Sequence, residues 1–174
     1  FHLKKTATNL VFGDGNTKSK IVFIGDAPGA EEDRQGKPFV GQGGQLLDKM
    51  LASINLDRST VFLSNTIFWR PPGNRTPTSQ EIAQCLPFVH RLIELIEPFI
   101  LVVLGGLAAR SLLSETLAVG RLRGKWYNYE IPSLSRPIKA TVLFHPEYLI
   151  NSPAHKREAW QDLLMIQEMK KNLY

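Results

Sequence analysis

The sequence predicts a single-domain α/β fold over residues 1–174, a three-layer α/β/α sandwich around a central four-stranded, mainly parallel sheet. Four short apolar runs, at 21–24, 61–63, 100–104 and 141–144, have the character of buried strands. Each run is followed by helical periodicity or helix-start signals, and strands that alternate with helices indicate a parallel sheet covered by helices. The 174 residues, 43% of them hydrophobic, are enough for one full core.

The first half of the chain contains two strand-to-helix connections. Residues 1–20 are polar and irregular, with turn-forming residues at 13–16, and are expected to wrap the domain edge. The first strand enters a glycine-rich loop at 25–41, before a helix with apolar residues at 46, 47, 50 and 51. The second strand ends at Ser64 and Asn65 and enters a loop at 70–77, whose prolines lack backbone donors. Thr78 or Ser79 is expected to cap the helix that runs toward Pro98.

The second half repeats the strand-helix pattern. The run at 100–104 ends at Gly105 and Gly106, before a helix at 107–113. The glycine pair could receive a phosphate or allow close packing, and packing is favoured because no nucleotide-loop lysine accompanies it. A basic run, Arg121, Arg123 and Lys125, could contact a DNA backbone, although a solvated face is the favoured interpretation. The last strand, at 141–144, precedes a long amphipathic helix predicted at 153–171.

Charge and cysteine usage limit the functional classes. A net charge of +5 and a pI near 9.4 permit a polyanionic partner without requiring one. No apolar stretch approaches the roughly 20 residues that span a bilayer, and no signal peptide opens the chain, so a cytoplasmic protein without a membrane partner is expected. The lone Cys85 excludes a disulfide within the sequence.

Three polar side chains follow predicted strands at the ends where ligands bind in parallel sheets. They are Asp26, Asn65 and His145, and we expect them to converge on one edge. Phe39 stands between Pro38 and Val40 in a glycine-flanked loop, so it either packs under the loop or presents its ring to a ligand. From composition alone, a solvated glycine-rich turn and a surface histidine without function remain alternatives.

The motifs around these residues resemble those of the family 4 uracil-DNA glycosylases, the bacterial and archaeal branch of the uracil-DNA glycosylase superfamily. The resemblance covers nearly the whole chain and rests on three segments. They are Gly-Asp-Ala-Pro-Gly at 25–29, with the acidic run and Gly-Lys-Pro-Phe-Val-Gly at 36–41; Asn65 with Arg-Pro-Pro-Gly-Asn-Arg at 70–75; and His-Pro-Glu-Tyr-Leu at 145–149.

The resemblance implies a monofunctional uracil-DNA glycosylase that hydrolyses the N-glycosidic bond of flipped-out deoxyuridine and initiates base excision repair. Its partner would be uracil-containing DNA, single- or double-stranded, and it would act as a monomer. Asp26 would orient water at C1′ and offset the cationic sugar, while His145 would donate a hydrogen bond to O2 of the leaving uracil. Asn65 would accept from uracil N3–H and donate to O4, a pattern that cytosine reverses.

The resemblance also implies two sets of contacts. Uracil would contact Ala27, Phe39, Asn65 and His145. A DNA-contacting tip would lie around 147–150, and the whole set would be Arg70, Asn74, Arg75, Glu147, Tyr148, Leu149 and Ile150.

The chain departs from the family at several positions. Asp26 stands where most relatives have Glu, which withdraws the carboxylate by one methylene, and Asn151 stands where they often have a basic residue. The family typically holds a four-iron cluster with four cysteines, whereas this sequence has Cys85 alone. Trp69 falls at one ligand position and Phe1 near another. We therefore expect no iron–sulfur cluster, with apolar packing around Trp69 in its place.

Two alternatives come from other classes. One is a non-catalytic α/β module that binds a nucleotide or nucleic acid at the same strand ends, which would leave the Asp26 carboxylate unexplained beside a polyanion. The other is a metal-dependent phosphohydrolase that uses Glu31, Glu32 and Asp33, although no further histidine or carboxylate cluster completes an ion site. The fold alone excludes neither.

Overall fold

A computed structural model describes residues 1–173, and it has one six-stranded sheet between two layers of helices. The strand order is β1-β3-β2-β4-β6-β5. The strands are β1 (Gly13–Gly15), β2 (Ile21–Gly25), β3 (Phe62–Asn65), β4 (Ile100–Leu104), β5 (Tyr127–Tyr129) and β6 (Ile138–Leu143). The helices are α1 (Ala30–Gln35), α2 (Gln42–Ser53), α3 (Ser79–Ile96), α4 (Gly106–Leu113), α5 (Val119–Leu122), α6 (Pro146–Asn151) and α7 (Lys156–Leu173).

The predicted α/β class is confirmed, but the predicted count of four strands is wrong. β2, β3, β4 and β6 pair in parallel, as expected, while β1 and β5 add an antiparallel strand at each edge. Each edge strand has three residues, which is too short for a period-2 pattern to stand out from its polar surroundings. The N-terminal segment therefore extends the sheet as well as wrapping its edge.

The strands are buried on both faces, because successive side chains enter opposite core layers. Val22 and Ile24 pack with residues of α3 and α4, while Ile21 and Phe23 pack with residues of α2 and α7. This arrangement explains the uninterrupted apolar runs. No helix among residues 1–173 has the length and apolar character needed to cross a bilayer.

The helix boundaries follow local chemistry. Thr78 caps α3, as predicted, and accepts a hydrogen bond from the Glu81 backbone N–H at 3.1 Å. The last helix begins at Lys156, later than predicted, because residues 153–155 form a separate 3₁₀ turn. The loop at 25–41 contains the short helix α1, which the sequence analysis did not predict.

A buried carboxylate ties three segments together near the N-terminus. Glu81 is 2% exposed, and Arg75 donates to its two carboxylate oxygens, each at 2.8 Å. The Thr78 N–H also donates to this carboxylate, and the His2 ring contacts it. The bonds from Arg75 are the main reason that the pKa of Glu81 falls to about 2. Glu81 thus joins the N-terminal segment, the loop at 70–77, which we call the proline-rich loop, and α3.

This arrangement predicts an acid-sensitive contribution to stability. Because the folded pKa of Glu81 is depressed from 4.5 to about 2, its contribution is complete above pH 4.5 and is lost as the pH falls toward 2. The Glu81→Gln variant should unfold at lower urea concentration than the wild type at pH 6, and the gap should close near pH 2. Glu168→Gln, at an exposed position, is the control. A gap that does not change with pH would contradict this role for Glu81.

Candidate active site

The parallel register brings the three strand-end residues to one edge. Gly25 of β2 pairs with Asn65, the last residue of β3, so Asp26 follows directly beside it. Two backbone bonds lock the connection: Thr66 N–H donates to Gly25 O at 2.9 Å, and Ile67 N–H donates to Asp26 O at 3.2 Å. His145 arrives from β6 as the N-cap of α6. The predicted convergence of Asp26, Asn65 and His145 on this edge agrees with the sheet topology.

The start of α4 holds the Asp26 carboxylate. Ala108 N–H donates to Asp26 Oδ1 at 2.9 Å. Gly105 has φ +106, and a Cβ at this position would lie 2.6 Å from Asp26 Oδ2. Burial raises the pKa of Asp26 above its usual 3.8, while His145, the Ala108 bond and Arg110 act in the opposite direction. The glycine pair therefore serves close packing, as favoured, and the packed group is a candidate catalytic carboxylate.

The hydrogen bonding of His145 fixes which ring nitrogen carries the proton. Its Nδ1 accepts from Glu147 N–H at 3.1 Å, so the proton of the neutral ring is on Nε2. Burial lowers the pKa of His145, and the nearby Asp26 carboxylate opposes that shift. Near neutral pH, His145 is therefore an uncharged donor.

Asn65 has an unsatisfied acceptor at the base of the site. It is 2% exposed, and its Oδ1 is buried without a hydrogen-bond partner among the described residues. An unpaired buried acceptor costs roughly 1–3 kcal/mol, which is recovered when a ligand supplies a donor. Gly25 makes room for it, since a Cβ there would lie 2.7 Å from Asn65 Oδ1 and 2.6 Å from Phe39 Cζ.

Phe39 packs under the loop in this structure and is 5% exposed. It has φ +55, and the Arg58 guanidinium donates to its carbonyl oxygen and to that of Pro38, which holds the turn in place. Its ring centroid lies 6.0 Å from that of His145. Of the two interpretations from sequence, packing under the loop describes this structure, with the ring beside His145.

A cavity of about 470 Å³ opens in front of these residues. Asp26, Ala27 and His145 line it, together with the proline-rich loop, whereas Phe39 and Asn65 are not part of its lining. Arg110 also lines it, and sequence analysis did not identify this residue. Its position could have indicated it: Arg110 follows Gly106 by four residues at the start of a predicted helix, and residues four apart lie on one face of a helix.

The predicted DNA contacts divide into two groups. Arg70 donates to Asn74 Oδ1 at 2.7 Å on the cavity side of the proline-rich loop, while Arg75 uses both terminal nitrogens on Glu81. Tyr148 is 44% exposed, but Leu149 is 1% exposed.

The prediction that Leu149 contacts DNA is corrected, because its side chain packs in the core with α2 and α7. Glu147 Oε1 accepts from Gly43 N–H at 3.1 Å, which joins α6 to α2, and Ile150 is half-buried. The tip at 147–150 is thus anchored to α2 and leaves Tyr148 as its exposed aromatic side chain.

The acidic run is occupied by structural bonds. Glu31 pairs with Arg34, at 2.7 Å. Glu32 accepts from the N–H groups of Gly29, Val40 and Gly41. Asp33 accepts from Thr8 and Asn9 N–H. Because each carboxylate already holds the loop together, the run does not support the phosphohydrolase alternative.

The side chains around Cys85 do not fit an iron–sulfur cluster. Cys85 is 1% exposed and packs in the core. The Phe1 ring lies 5.0 Å from Trp69 and 5.9 Å from Phe88, so aromatic rings rather than thiols pack together at this end of the core. Among residues 1–173, no group of three or more His, Cys, Asp or Glu residues could hold a metal ion.

Comparison with known proteins gives consistent matches. The family described as the Uracil DNA glycosylase superfamily matches residues 12–164. The Type-4 uracil-DNA glycosylase of Archaeoglobus fulgidus is 40% identical over 171 residues, covering 96% of this chain and 85% of that protein. The one from Thermotoga maritima is 36% identical over 159 residues, covering 89% and 78%. A DNA polymerase of Bacillus phage SP01 is 29% identical over 152 residues, covering 87% of this chain and 16% of that protein.

The packing of Gly105 against Asp26 can be tested by unfolding. Gly105→Ala should lower the free energy of unfolding by about 1–3 kcal/mol from backbone strain alone, with an added cost from the clash with the carboxylate. Urea unfolding in the wild-type and Asp26→Ala backgrounds separates the two costs. Gly120→Ala is the control, since a Cβ there meets nothing within 4 Å. An equal cost in both backgrounds would show that Asp26 does not pack against Gly105.

Proposed function

The chain belongs to the uracil DNA glycosylase superfamily, and from this we propose that it is a monofunctional uracil-DNA glycosylase. It is a hydrolase that cleaves the N-glycosidic bond of deoxyuridine in DNA and initiates base excision repair. The identities of 35–40% to several Type-4 uracil-DNA glycosylases extend over most of the chain. We infer one glycosylase domain over residues 1–174, because all six described strands form one sheet.

The observation that carries the proposal is the unpaired Oδ1 of Asn65. Uracil presents N3–H beside O4, so one amide can accept from the first and donate to the second. Cytosine presents an acceptor at N3 and a donor at N4, which would leave both amide groups mispaired. The Phe39 ring moves aside and stacks on the base, with Ala27 at the cavity wall.

Asp26 acts on the sugar and His145 acts on the uracil as the bond between them breaks. As the C1′–N1 bond lengthens, its electron pair leaves with uracil, and negative charge develops on O2 while the sugar becomes cationic. His145 donates its Nε2–H to O2, and Asp26 offsets the sugar charge and accepts a hydrogen bond from the water that adds to C1′. Burial raises the pKa of Asp26, and the hydrogen bond from Ala108 N–H acts to lower it. This bond therefore favours the ionised form of Asp26.

The DNA backbone runs over the basic side of the cavity. Asn74 and Arg110 line the cavity and are exposed, and Arg70 donates to Asn74. Tyr148 faces the duplex or single strand from α6. Arg75 supports the same loop through Glu81. The Type-4 relatives come from archaea and bacteria, whose DNA lies in the cytoplasm, and we place this protein there as a monomer.

We also propose that this chain works without the iron–sulfur cluster typical of the family. Four thiolates are needed, and the sequence contains one cysteine. The contact between Phe1 and Trp69 joins the N-terminal segment to the start of the proline-rich loop, as the cluster would.

The catalytic assignment predicts that excision requires both Asp26 and His145 and survives EDTA. Asp26→Asn and His145→Ala should each lower the single-turnover rate by roughly 10²–10⁴-fold. The assay follows labelled uracil-containing DNA, and breaks that appear only after alkali indicate a monofunctional glycosylase. Glu168→Gln, at an exposed position on α7, is the control. A full rate in either active-site variant would remove that residue from the mechanism.

Base recognition predicts a change of specificity in Asn65→Asp. A protonated carboxyl at this position can donate to cytosine N3 and accept from N4, so cytosine excision should appear while uracil excision falls. Excision rates on matched uracil and cytosine substrates measure the change. Unchanged uracil excision would exclude Asn65 from the recognition site.

Aromatic packing near Cys85 predicts that the purified protein contains no stoichiometric iron. Trp69 is half-buried, so Trp69→Ala should cost about 1–3 kcal/mol, below the 3–5 kcal/mol of a fully buried indole. Iron analysis, visible absorbance and urea unfolding test both statements, with the 45% exposed Trp160→Ala as control. Four irons per chain would overturn the proposal.

A further inference from the structure

A second cavity adjoins the 470 Å³ cavity lined by Asp26 and His145, which we call the catalytic cavity. It has a volume of about 300 Å³ and shares with the first cavity four residues, Asp26, Gly106, His145 and Tyr148. We call it the flanking cavity; its remaining lining comes from Gly105, Ala118, Val119, Gly120 and Phe144. Because the two cavities share walls, a polymer whose reacting unit occupies the first lies next to the second.

The lining of the flanking cavity suits a flat apolar group. Tyr148 stacks on Phe144 with ring centroids 5.1 Å apart and planes 14° from parallel, and His155 contacts both rings. Phe144 is 5% exposed and Tyr148 is 44% exposed, so a fixed aromatic pair presents one accessible ring. Val119 and three glycines contribute further to the lining. Aromatic side chains of this kind stack on nucleobases without regard to sequence.

An exposed cation lies next to the lining of the flanking cavity in the sequence. Arg121 directly follows the lining residue Gly120 and is exposed. Its neighbour Arg123 is occupied, since its guanidinium donates to both Asp162 oxygens at 2.9 Å. Within the basic run, Arg123 is therefore engaged in an internal ion pair, whereas Arg121 is exposed next to the lining.

We propose that the flanking cavity binds the nucleobase next to the excised uridine, stacked on Tyr148, with Arg121 at the adjoining phosphate. This inference rests on the proposed function, because it takes the reacting nucleotide to lie in the catalytic cavity. Neighbouring nucleotides of a strand are joined through a single phosphate, so the base beside the flipped uridine cannot lie far from that cavity. The site does not read sequence; it binds a base of any type.

The test measures affinity rather than catalysis. Single-stranded oligonucleotides carry one deoxyuridine whose 2′-fluoro group blocks hydrolysis, with an intact or an abasic nucleotide on its 5′ or 3′ side. Fluorescence anisotropy gives Kd. In the wild type, an abasic neighbour on one side should weaken binding roughly 5- to 140-fold.

Two variants and a matched control locate that effect. Val119→Trp fills the flanking cavity and Tyr148→Ala removes the stacking ring, so both should bind intact DNA more weakly and become insensitive to the abasic neighbour. Leu117→Trp, 52% exposed and outside the lining, should keep the wild-type difference. The proposal is overturned if the wild type is indifferent to both neighbours, or if its preference persists in Val119→Trp and Tyr148→Ala.

Salt dependence tests the cation. Arg121→Gln should reduce the slope of log Kd against log salt by about 0.7, the value for one phosphate contact on a single strand. Arg136→Gln, which precedes β6 at the opposite end of the sheet, should leave it unchanged. An unchanged slope in Arg121→Gln would remove this residue from the site.

A parallel excision assay on ordinary deoxyuridine separates the two claims. Neighbour-dependent binding without excision would overturn the proposed function and retain the flanking cavity as a base-binding site. Excision without neighbour dependence would overturn the flanking-cavity proposal alone.

Discussion

The parallel register of β2 against β3 is the constraint on which the candidate site depends. It sets Gly25 opposite Asn65, so that a carboxylate and an amide emerge side by side at one end of the sheet. A β-carbon at Gly25 would collide with both Asn65 and Phe39. The same edge receives His145 from β6 and the start of α4 from β4. The proposed recognition residue, the proposed catalytic pair and the cavity in front of them all depend on this alignment.

Charged side chains hold the surrounding loops by bonding to backbone groups. Glu32 gathers the N–H groups of the first loop, Arg58 supports the carbonyl groups beside Phe39, and Glu147 reaches the start of α2. Charge-assisted hydrogen bonds of this kind are stronger than neutral ones, and their geometry fixes the orientation of the bonded backbone groups. They fix loops that carry few apolar side chains, so the site is positioned by bonds that sequence periodicity does not display.

Features set by residues close together in the chain could be predicted from the sequence, whereas features set by distant residues could not. The four parallel strands and the Thr78 cap were predicted because apolar runs and capping residues act over a few positions. The three-residue edge strands β1 and β5 were missed, since pairing with a distant strand decides them. Strand-end position and family resemblance together indicated Asp26, Asn65 and His145.

Other features of the site depend on residues far apart in the chain. The bond from Ala108 to Asp26 spans 82 positions, and the bond from Gly43 to Glu147 spans 104. Leu149 was assigned to DNA because it belongs to a motif, whereas burial at 1% exposure shows that its side chain serves the core. A motif identifies a segment, and only packing determines which of its side chains faces outward.

The central claim is that Asn65 Oδ1 receives the N3–H of uracil, and N3-methyldeoxyuridine tests it most directly. The methyl group removes that donor while leaving the glycosidic bond in place. Single-turnover excision should be readily measured for deoxyuridine and lost for the N3-methyl base in the same oligonucleotide. Equal excision rates for the two bases would contradict the account.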